Sequence, residues 1–98
     1  MRAVYLPVLD LINCPPICDF KVAKEYYSTV FHEMIHSTGH SSRLARTGIT
    51  TAGVTFGDEV YSKEELVAEM VAAMLCRVAE IDNNIIENSA SYIKSWLR

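Results

Sequence analysis

The sequence has no long apolar run, little glycine, proline or cysteine, and no excess of positive charge. A transmembrane helix needs roughly 18 or more consecutive apolar residues, so no membrane partner is expected. The 98 residues include nine Lys and Arg against twelve Asp and Glu, for a net charge of −3. The basic residues are scattered, so the broad basic surface typical of nucleic-acid-binding domains is not expected.

The three cysteines do not suggest a disulfide framework. They are Cys14, Cys18 and Cys76, and the first eleven residues lack the pattern of a secretory signal. An odd count in that context favours reduced thiols, so we expect a cytoplasmic protein. Cys14 and Cys18 resemble half of a metal site, but a second pair is lacking, and we interpret them as free structural thiols.

The composition is that of one folded domain. Half of the residues are apolar and 21% are charged, which argues against a disordered chain. This length is near the low end of what folds on a single core, so we expect one domain over residues 1–98. A bound metal would stabilise so small a core, because metal binding couples to folding.

Proline and glycine divide the chain into its predicted elements. Residues 1–20 contain every proline and imperfectly alternating apolar residues, which predict edge strands. Residues 22–38 lack both residue types and predict a helix that Gly39 ends. Residues 40–61 predict a long loop with room for one short strand. A second helix is predicted from Ser62 to about Glu80, and a short terminal helix contains Tyr92, Ile93, Trp96 and Leu97.

The first long helix carries the sequence His-Glu-Met-Ile-His over residues 32–36. His32 and His36 are four residues apart, so they share one helix face and can bind one metal ion. Glu33 can then act as a general base on a metal-bound water. This H-E-x-x-H pattern on a helix is a metalloprotease signature. The competing interpretation is that the two histidines lie four apart by chance on a core helix.

A catalytic zinc ion takes three protein ligands and a water molecule, so a third ligand is needed. His40 follows the predicted helix end and could approach the metal, contact substrate, or simply be a hydrogen-bonded surface residue. Glu65 and Glu69 are stronger candidates, because they lie four apart on the second helix. Glutamate-ligand zincins carry such a pair, which assigns Glu65 to the metal and Glu69 to the other ring nitrogen of a ligating histidine.

An alternative role is open for Glu65. Residues 62–65 read Ser-Lys-Glu-Glu, which is a capping box in which Glu65 folds back onto the backbone of Ser62. Glu69 would then be the metal ligand. The remaining face of this helix is predicted to be a buried apolar stripe, which comprises Val67, Met70, Val71, Met74, Leu75 and Val78.

Two imidazoles and one carboxylate with an open position suit one Zn²⁺ ion best, although Mn, Co or Ni can take the same ligands. Zinc would lower the pKa of its water, Glu33 would take the proton, and the hydroxide would attack a carbonyl group. The tetrahedral oxyanion also needs a hydrogen-bond donor. Candidates are His40, Tyr61 and, with less support, Tyr27.

Three segments, in order, resemble the zincin-like metallopeptidase domain of ArdC-type antirestriction proteins. They are residues 26–40 followed by Arg43-Leu44, then Phe56-Gly57 with residues 61–69, and finally residues 91–97. The similarity extends over residues 3–98. It implies that His32, His36 and Glu65 bind the metal and that Glu33 is the catalytic acid/base.

The resemblance also implies a biological setting and a fold. Such proteins are typically encoded on plasmids, conjugative elements and phages, and commonly carry an N-terminal domain that binds single-stranded DNA. This chain begins almost at the second domain, so we do not expect DNA binding from it. We expect an α+β fold, a minimal zincin in which the metal helix packs against a glutamate helix, with a small N-terminal β region and a short C-terminal helix.

Three functions are compatible with the sequence. The leading hypothesis is a zinc metallopeptidase-like domain that hydrolyses a peptide bond in a peptide or protein substrate. The alternative is a metal-bound, non-proteolytic binding module that acts against restriction enzymes or on DNA. A helical structural domain without metal is the third. The sequence identifies neither the substrate nor the oligomeric state.

Overall fold

A computed structural model of the chain describes residues 2–51, 59–81 and 94. Its elements are β1 (Val4–Leu6), β2 (Leu11–Asn13), a 3₁₀ turn (Ile17–Asp19), α1 (Ala23–Thr38), α2 (Thr47–Thr50) and α3 (Glu59–Val78). The two strands form an antiparallel sheet, and the predicted α+β fold class is confirmed. No helix within the described ranges is long and apolar enough to cross a membrane.

The hairpin of β1 and β2 is fixed against the end of α1. Tyr5 lies opposite Ile12 in the sheet, and Asp10 closes the turn with a φ of 50°, in the left-handed region that aspartate tolerates. The Asp10 carboxylate accepts a 2.7 Å hydrogen bond from the Tyr5 hydroxyl. It also pairs with Arg43, which follows α1. The turn therefore connects the strand to the loop that follows α1.

Helix α1 matches the predicted helix to within one residue and ends at Gly39. Gly39 has an ordinary φ of −82°, so a left-handed backbone is not the reason for glycine here. A Cβ atom at this position would lie 2.6 Å from Cγ1 of Ile49 and 3.0 Å from Nη2 of Arg46. The missing side chain therefore lets the segment around α2 pack directly against the end of α1.

Helix α3 begins before its predicted start. Its first residue is Glu59, and its last is Val78 rather than Glu80. Ser62 therefore lies inside the helix, where it cannot be an N-cap. The capping-box interpretation of Glu65 is wrong for this reason.

The buried face of α3 is formed by small residues rather than by the predicted apolar stripe. Ala68, Ala72 and Cys76 recur every four residues and are at most 2% exposed. Three members of the predicted stripe are 53%, 65% and 81% exposed, namely Met70, Met74 and Val78. Short side chains at the interface let α1 and α3 approach closely, which brings the glutamates of this face within reach of α1.

Two predicted regions are described only in part. Residues 40–51 contain the short helix α2 rather than a strand, and residues 52–58 lie outside the described residues. The predicted terminal helix also lies outside them, except for position 94.

Candidate metal centre

His32 and His36 on α1 converge with Glu65 on α3 at one point between the helices. The Nε2 atoms of the two histidines are 3.2 Å apart. Oε2 of Glu65 lies 3.2 Å from Nε2 of His32, and Oε1 of Glu65 lies 3.1 Å from Nε2 of His36. The structure thus brings together the three residues predicted to bind the metal.

The three residues are close enough for one metal ion to bind them all. Ligands about 2.0–2.1 Å from zinc are separated from one another by about 3.3 Å when they occupy corners of a tetrahedron. The two Nε2 atoms are 3.2 Å apart, each contacts a different oxygen of Glu65, and one ligand atom from each of the three residues lies within 4.8 Å of the other two. Two imidazoles and a carboxylate also leave one corner open, as in catalytic zinc sites. Within the described part of the chain, no second group of potential ligands is gathered in this way.

Each histidine ring is held by a carboxylate on the side away from this point. Nδ1 of His32 lies 2.9 Å from Oε2 of Glu69, and Nδ1 of His36 lies 2.8 Å from Oε2 of Glu64. An ionised carboxylate only accepts hydrogen bonds, so each Nδ1 carries the proton. In the neutral form of each ring, the Nε2 lone pair is then available to a metal ion, as in carboxylate–histidine–zinc sites.

Glu64 and its partner Arg46 were not predicted from the sequence. Glu64 is only 5% exposed, and its two oxygens accept hydrogen bonds of 2.9 and 3.0 Å from Nε and Nη2 of Arg46. A Cβ atom on Gly48 would lie 2.4 Å from Cβ of Glu64, so the backbone of α2 packs against this glutamate. The sequence signal that could have indicated burial of Glu64 is its spacing: it lies one helical turn before Ala68, on the same face as the small buried residues of α3.

Burial and neighbouring carboxylates and imidazoles shift the pKa values of these groups. Burial lowers the pKa of His32, but hydrogen bonds to Glu65 and Glu69 outweigh it and raise the pKa to about 10. The pKa of His36 is raised in the same way, against burial, by Glu64 and Glu65. Burial raises the pKa of Glu65, yet its bonds to the two histidines hold that pKa well below its usual value. A metal ion would therefore compete with protons for these imidazoles.

Glu33 lies beside the candidate ligands and is held by a strand. Its Oε1 accepts a 2.9 Å hydrogen bond from the backbone N–H of Tyr5. Burial raises the pKa of Glu33, and the charges of His32 and His36 and the bond from Tyr5 offset only part of this increase. A carboxylate with a raised pKa can exchange a proton with a bound water near neutral pH.

A cleft of about 490 Å³ lies over these residues. It is lined by β1, by the region of α2 and by the first turns of α3, including Tyr61. Burial, followed by the charge of Glu65 and a hydrogen bond to it, raises the pKa of Tyr61. The protonated phenol therefore donates its hydrogen bond to the Glu65 carboxylate at the edge of the cleft.

The other two candidates for the oxyanion donor, His40 and Tyr27, do not line this cleft. Nδ1 of His40 lies 2.8 Å from Oγ of Ser42, and His40 lines a separate depression beside Pro7. Tyr27 is 46% exposed and stacks edge-on against Tyr26. All three cysteines are free.

The match to known proteins agrees with this architecture. Residues 1–98 match the family of zincin-like metallopeptidases. The chain belongs to this family, and the resemblance noted in the sequence is confirmed.

The chain spans about a third or less of the length of the relatives it matches. It is similar to the metal-free crystal structure of the antirestriction protein ArdC of plasmid R388, with a TM-score of 0.69 and 42% sequence identity. The match covers 99% of this chain and 33% of the ArdC chain. It is 39% identical over 97 residues to a DNA primase TraC of Escherichia coli. This match covers 99% of this chain and 9% of the primase. It is also 32% identical over 96 residues to the uncharacterized protein y4eC of Sinorhizobium fredii, over 98% of this chain and 30% of that protein.

Proposed function

We propose that this chain is a zinc-dependent metallopeptidase domain of an antirestriction-type protein of mobile elements. His32, His36 and Glu65 would bind one Zn²⁺ ion. The observation that carries the proposal is the convergence of two imidazole nitrogens and a carboxylate at separations of 3.1–3.2 Å. Membership of the zincin-like family supports it.

The residues around the site suggest how a peptide bond would be cleaved. A zinc ion at these ligands supplies Lewis acidity, which polarises a carbonyl group and lowers the pKa of water. Glu33 accepts the proton of the attacking water and passes it to the leaving amine. Tyr5 keeps Glu33 in place through its backbone N–H. Tyr61, one helical turn before Glu65, would donate its hydroxyl hydrogen bond to the developing oxyanion in place of its bond to Glu65.

The test compares zinc-loaded wild type with Glu33→Gln on a mixture of unstructured peptides, with the products followed by mass spectrometry. Loss of a general base lowers rates by about 10²- to 10⁴-fold, so the variant is expected to lose cleavage while binding zinc normally. The matched control is Glu25→Gln, an exposed glutamate on the same helix. Equal cleavage by wild type and Glu33→Gln, or none by zinc-loaded wild type, contradicts the proposal.

A second candidate is a metal-bound binding module that acts without proteolysis against restriction enzymes or on DNA. It is favoured by the names of two relatives, an antirestriction protein and a DNA primase. Protection of DNA from restriction in cells separates the two functions. Protection that survives Glu33→Gln but is lost when exposed residues 41–44 are replaced supports binding, whereas protection lost with Glu33→Gln supports hydrolysis.

A further inference from the structure

Arg46 connects the two helices of the candidate metal centre. Its Nε and Nη2 donate to the two oxygens of Glu64 at 2.9 and 3.0 Å. Its Nη1 donates to Oγ1 of Thr38 at 2.7 Å, and its Nη2 also donates to the carbonyl oxygen of Ile35 at 2.7 Å. One guanidinium group therefore fixes the last turn of α1 and a buried carboxylate of α3.

The contact continues to a candidate ligand. Oε2 of Glu64, which accepts from Arg46, also lies 2.8 Å from Nδ1 of His36. A bidentate guanidinium–carboxylate pair fixes the plane of the carboxylate as well as its position. The orientation of the His36 ring, and the nitrogen that carries its proton, are then determined by a residue that lies outside the ligand set.

The backbone around this pair is shaped to accommodate it. Gly39 and Gly48 are both approached so closely that a Cβ atom would lie 3.0 Å from Nη2 of Arg46 and 2.4 Å from Cβ of Glu64, respectively. Ala45 adopts a φ of 49° immediately before Arg46, a conformation unfavourable for alanine. An arginine that only extends into solvent would not require two glycines and a strained backbone beside it. These features therefore indicate that the position of Arg46 is specific.

We propose that Arg46 is a positioning residue for the metal site, which sets metal affinity by holding Glu64 against His36. The proposal rests on the proposed function insofar as His36 is taken as a metal ligand. It assigns to the loop between α1 and α2 a contribution to metal binding that does not involve contact with the metal.

Arg43 provides a matched comparison in the same loop. It also pairs with a carboxylate, that of Asp10, and donates a 2.8 Å hydrogen bond to the carbonyl oxygen of Ser37 at the end of α1. Among the described residues, its partner Asp10 pairs with Tyr5 and Arg43, and not with the candidate ligands or the glutamates that hold them. General effects of losing a loop arginine should therefore be similar for Arg43 and Arg46, but the effect on the metal site should differ.

The experiment measures zinc affinity by competition with a chromophoric chelator for wild type, Arg46→Met, Arg46→Lys and Arg43→Met. Loss of a residue that orients a ligand typically weakens metal binding by about 10- to 100-fold, and we expect this for Arg46→Met. We expect affinity close to wild type for Arg43→Met. Arg46→Lys keeps the charge but cannot make the bidentate pair, so it should fall in between. The visible absorption spectrum of the cobalt-loaded protein should change in Arg46→Met and not in Arg43→Met.

The outcomes separate this inference from the proposed function. Arg46→Met with wild-type zinc affinity and an unchanged cobalt spectrum overturns the inference. Circular dichroism of the metal-free variants checks folding, and if Arg46→Met does not fold, equal zinc affinity of Arg46→Lys and wild type overturns it instead. A wild type that binds zinc but cleaves no peptide overturns the peptidase proposal alone, whereas a wild type that binds no zinc overturns both.

Discussion

The backbone N–H of Tyr5 donates a 2.9 Å hydrogen bond to Oε1 of Glu33. This bond joins strand β1 to the candidate general base on α1. The hairpin is held in turn by Asp10, which accepts the Tyr5 hydroxyl hydrogen bond and pairs with Arg43. The position of Glu33 in the cleft therefore depends on how the hairpin packs against the helix.

Glu33→Ala should expose the Tyr5 amide to exchange. A hydrogen bond to a charged group contributes about 1.5–3 kcal/mol, so we expect exchange of this amide to speed up by about tenfold or more. Hydrogen exchange followed by NMR measures it, with Glu25→Ala on the exposed face of the same helix as the control. An unchanged rate for Tyr5 in Glu33→Ala would show that the bond is not formed in solution.

Gly48→Ala should destabilise the protein, although Gly48 lies in a helix, where alanine is normally preferred by about 1 kcal/mol. The new Cβ would lie 2.4 Å from Cβ of Glu64, so the backbone of α2 must shift away. Overpacking of this kind costs about 1–3 kcal/mol in unfolding free energy. Urea unfolding of the metal-free protein measures it, with exposed Thr47→Ala as control. A gain in stability would mean that α2 does not pack against Glu64 as described.

Ala72→Leu should destabilise the protein far more than Met74→Ala. Ala72 is 2% exposed on the buried face of α3, whereas Met74 is 65% exposed. A larger side chain at the interface separates the helices and costs about 1–3 kcal/mol, while truncation at the surface changes stability by less than about 0.5 kcal/mol. Thermal unfolding compares the two, and the opposite ranking would restore the predicted apolar stripe as the core.

The pH dependence of stability should reverse when zinc is added. The raised pKa of His32, about 10 against an ordinary value of 6.5, stabilises the metal-free protein fully below 6.5, and this contribution is lost as the pH rises towards 10. The lowered pKa of Glu65 gives a contribution that is present above its ordinary value of 4.5 and lost as the pH falls below it. Metal-free stability should therefore decline above about pH 6.5.

Zinc requires deprotonated ligands, so its stabilising effect should grow over the same range. The measurement is the melting temperature with chelator and with excess zinc at several pH values. The stabilising contribution of His32 declines between its ordinary pKa of 6.5 and about 10, so a metal-free melting temperature that rises steadily from pH 6.5 to pH 9 would contradict the assigned ion pairs.

The metal helix could be predicted from the sequence because its signals are local. Residues 22–38 lack glycine and proline, and the four-residue spacing of His32 and His36 gives them a common face. The choice between Glu65 and Glu69 could not be made in the same way, because both lie on one face of α3. In the structure, the carboxylate of Glu65 reaches both Nε2 atoms, whereas that of Glu69 reaches Nδ1 of His32.

The contribution of Arg46 and Glu64 depends on the path of a loop, which the sequence does not specify. The two residues are 18 positions apart, and they meet because Gly39 and Gly48 permit close packing of α2. The buried face of α3 was mispredicted for a related physical reason. Large apolar residues at helical spacing indicate burial in general, but α1 and α3 pack closely where small residues such as Ala68 lie on the buried face.

The most direct test of the account is the zinc content of wild type, Glu65→Ala and Glu69→Ala, measured side by side by plasma mass spectrometry after zinc loading and dialysis. The account predicts about one zinc per wild-type chain, no retained zinc in Glu65→Ala, and weakened but measurable binding in Glu69→Ala, because Glu69 only holds His32. Wild-type zinc content in Glu65→Ala, or a folded wild type that retains no zinc, would contradict the assignment of His32, His36 and Glu65 as a metal site.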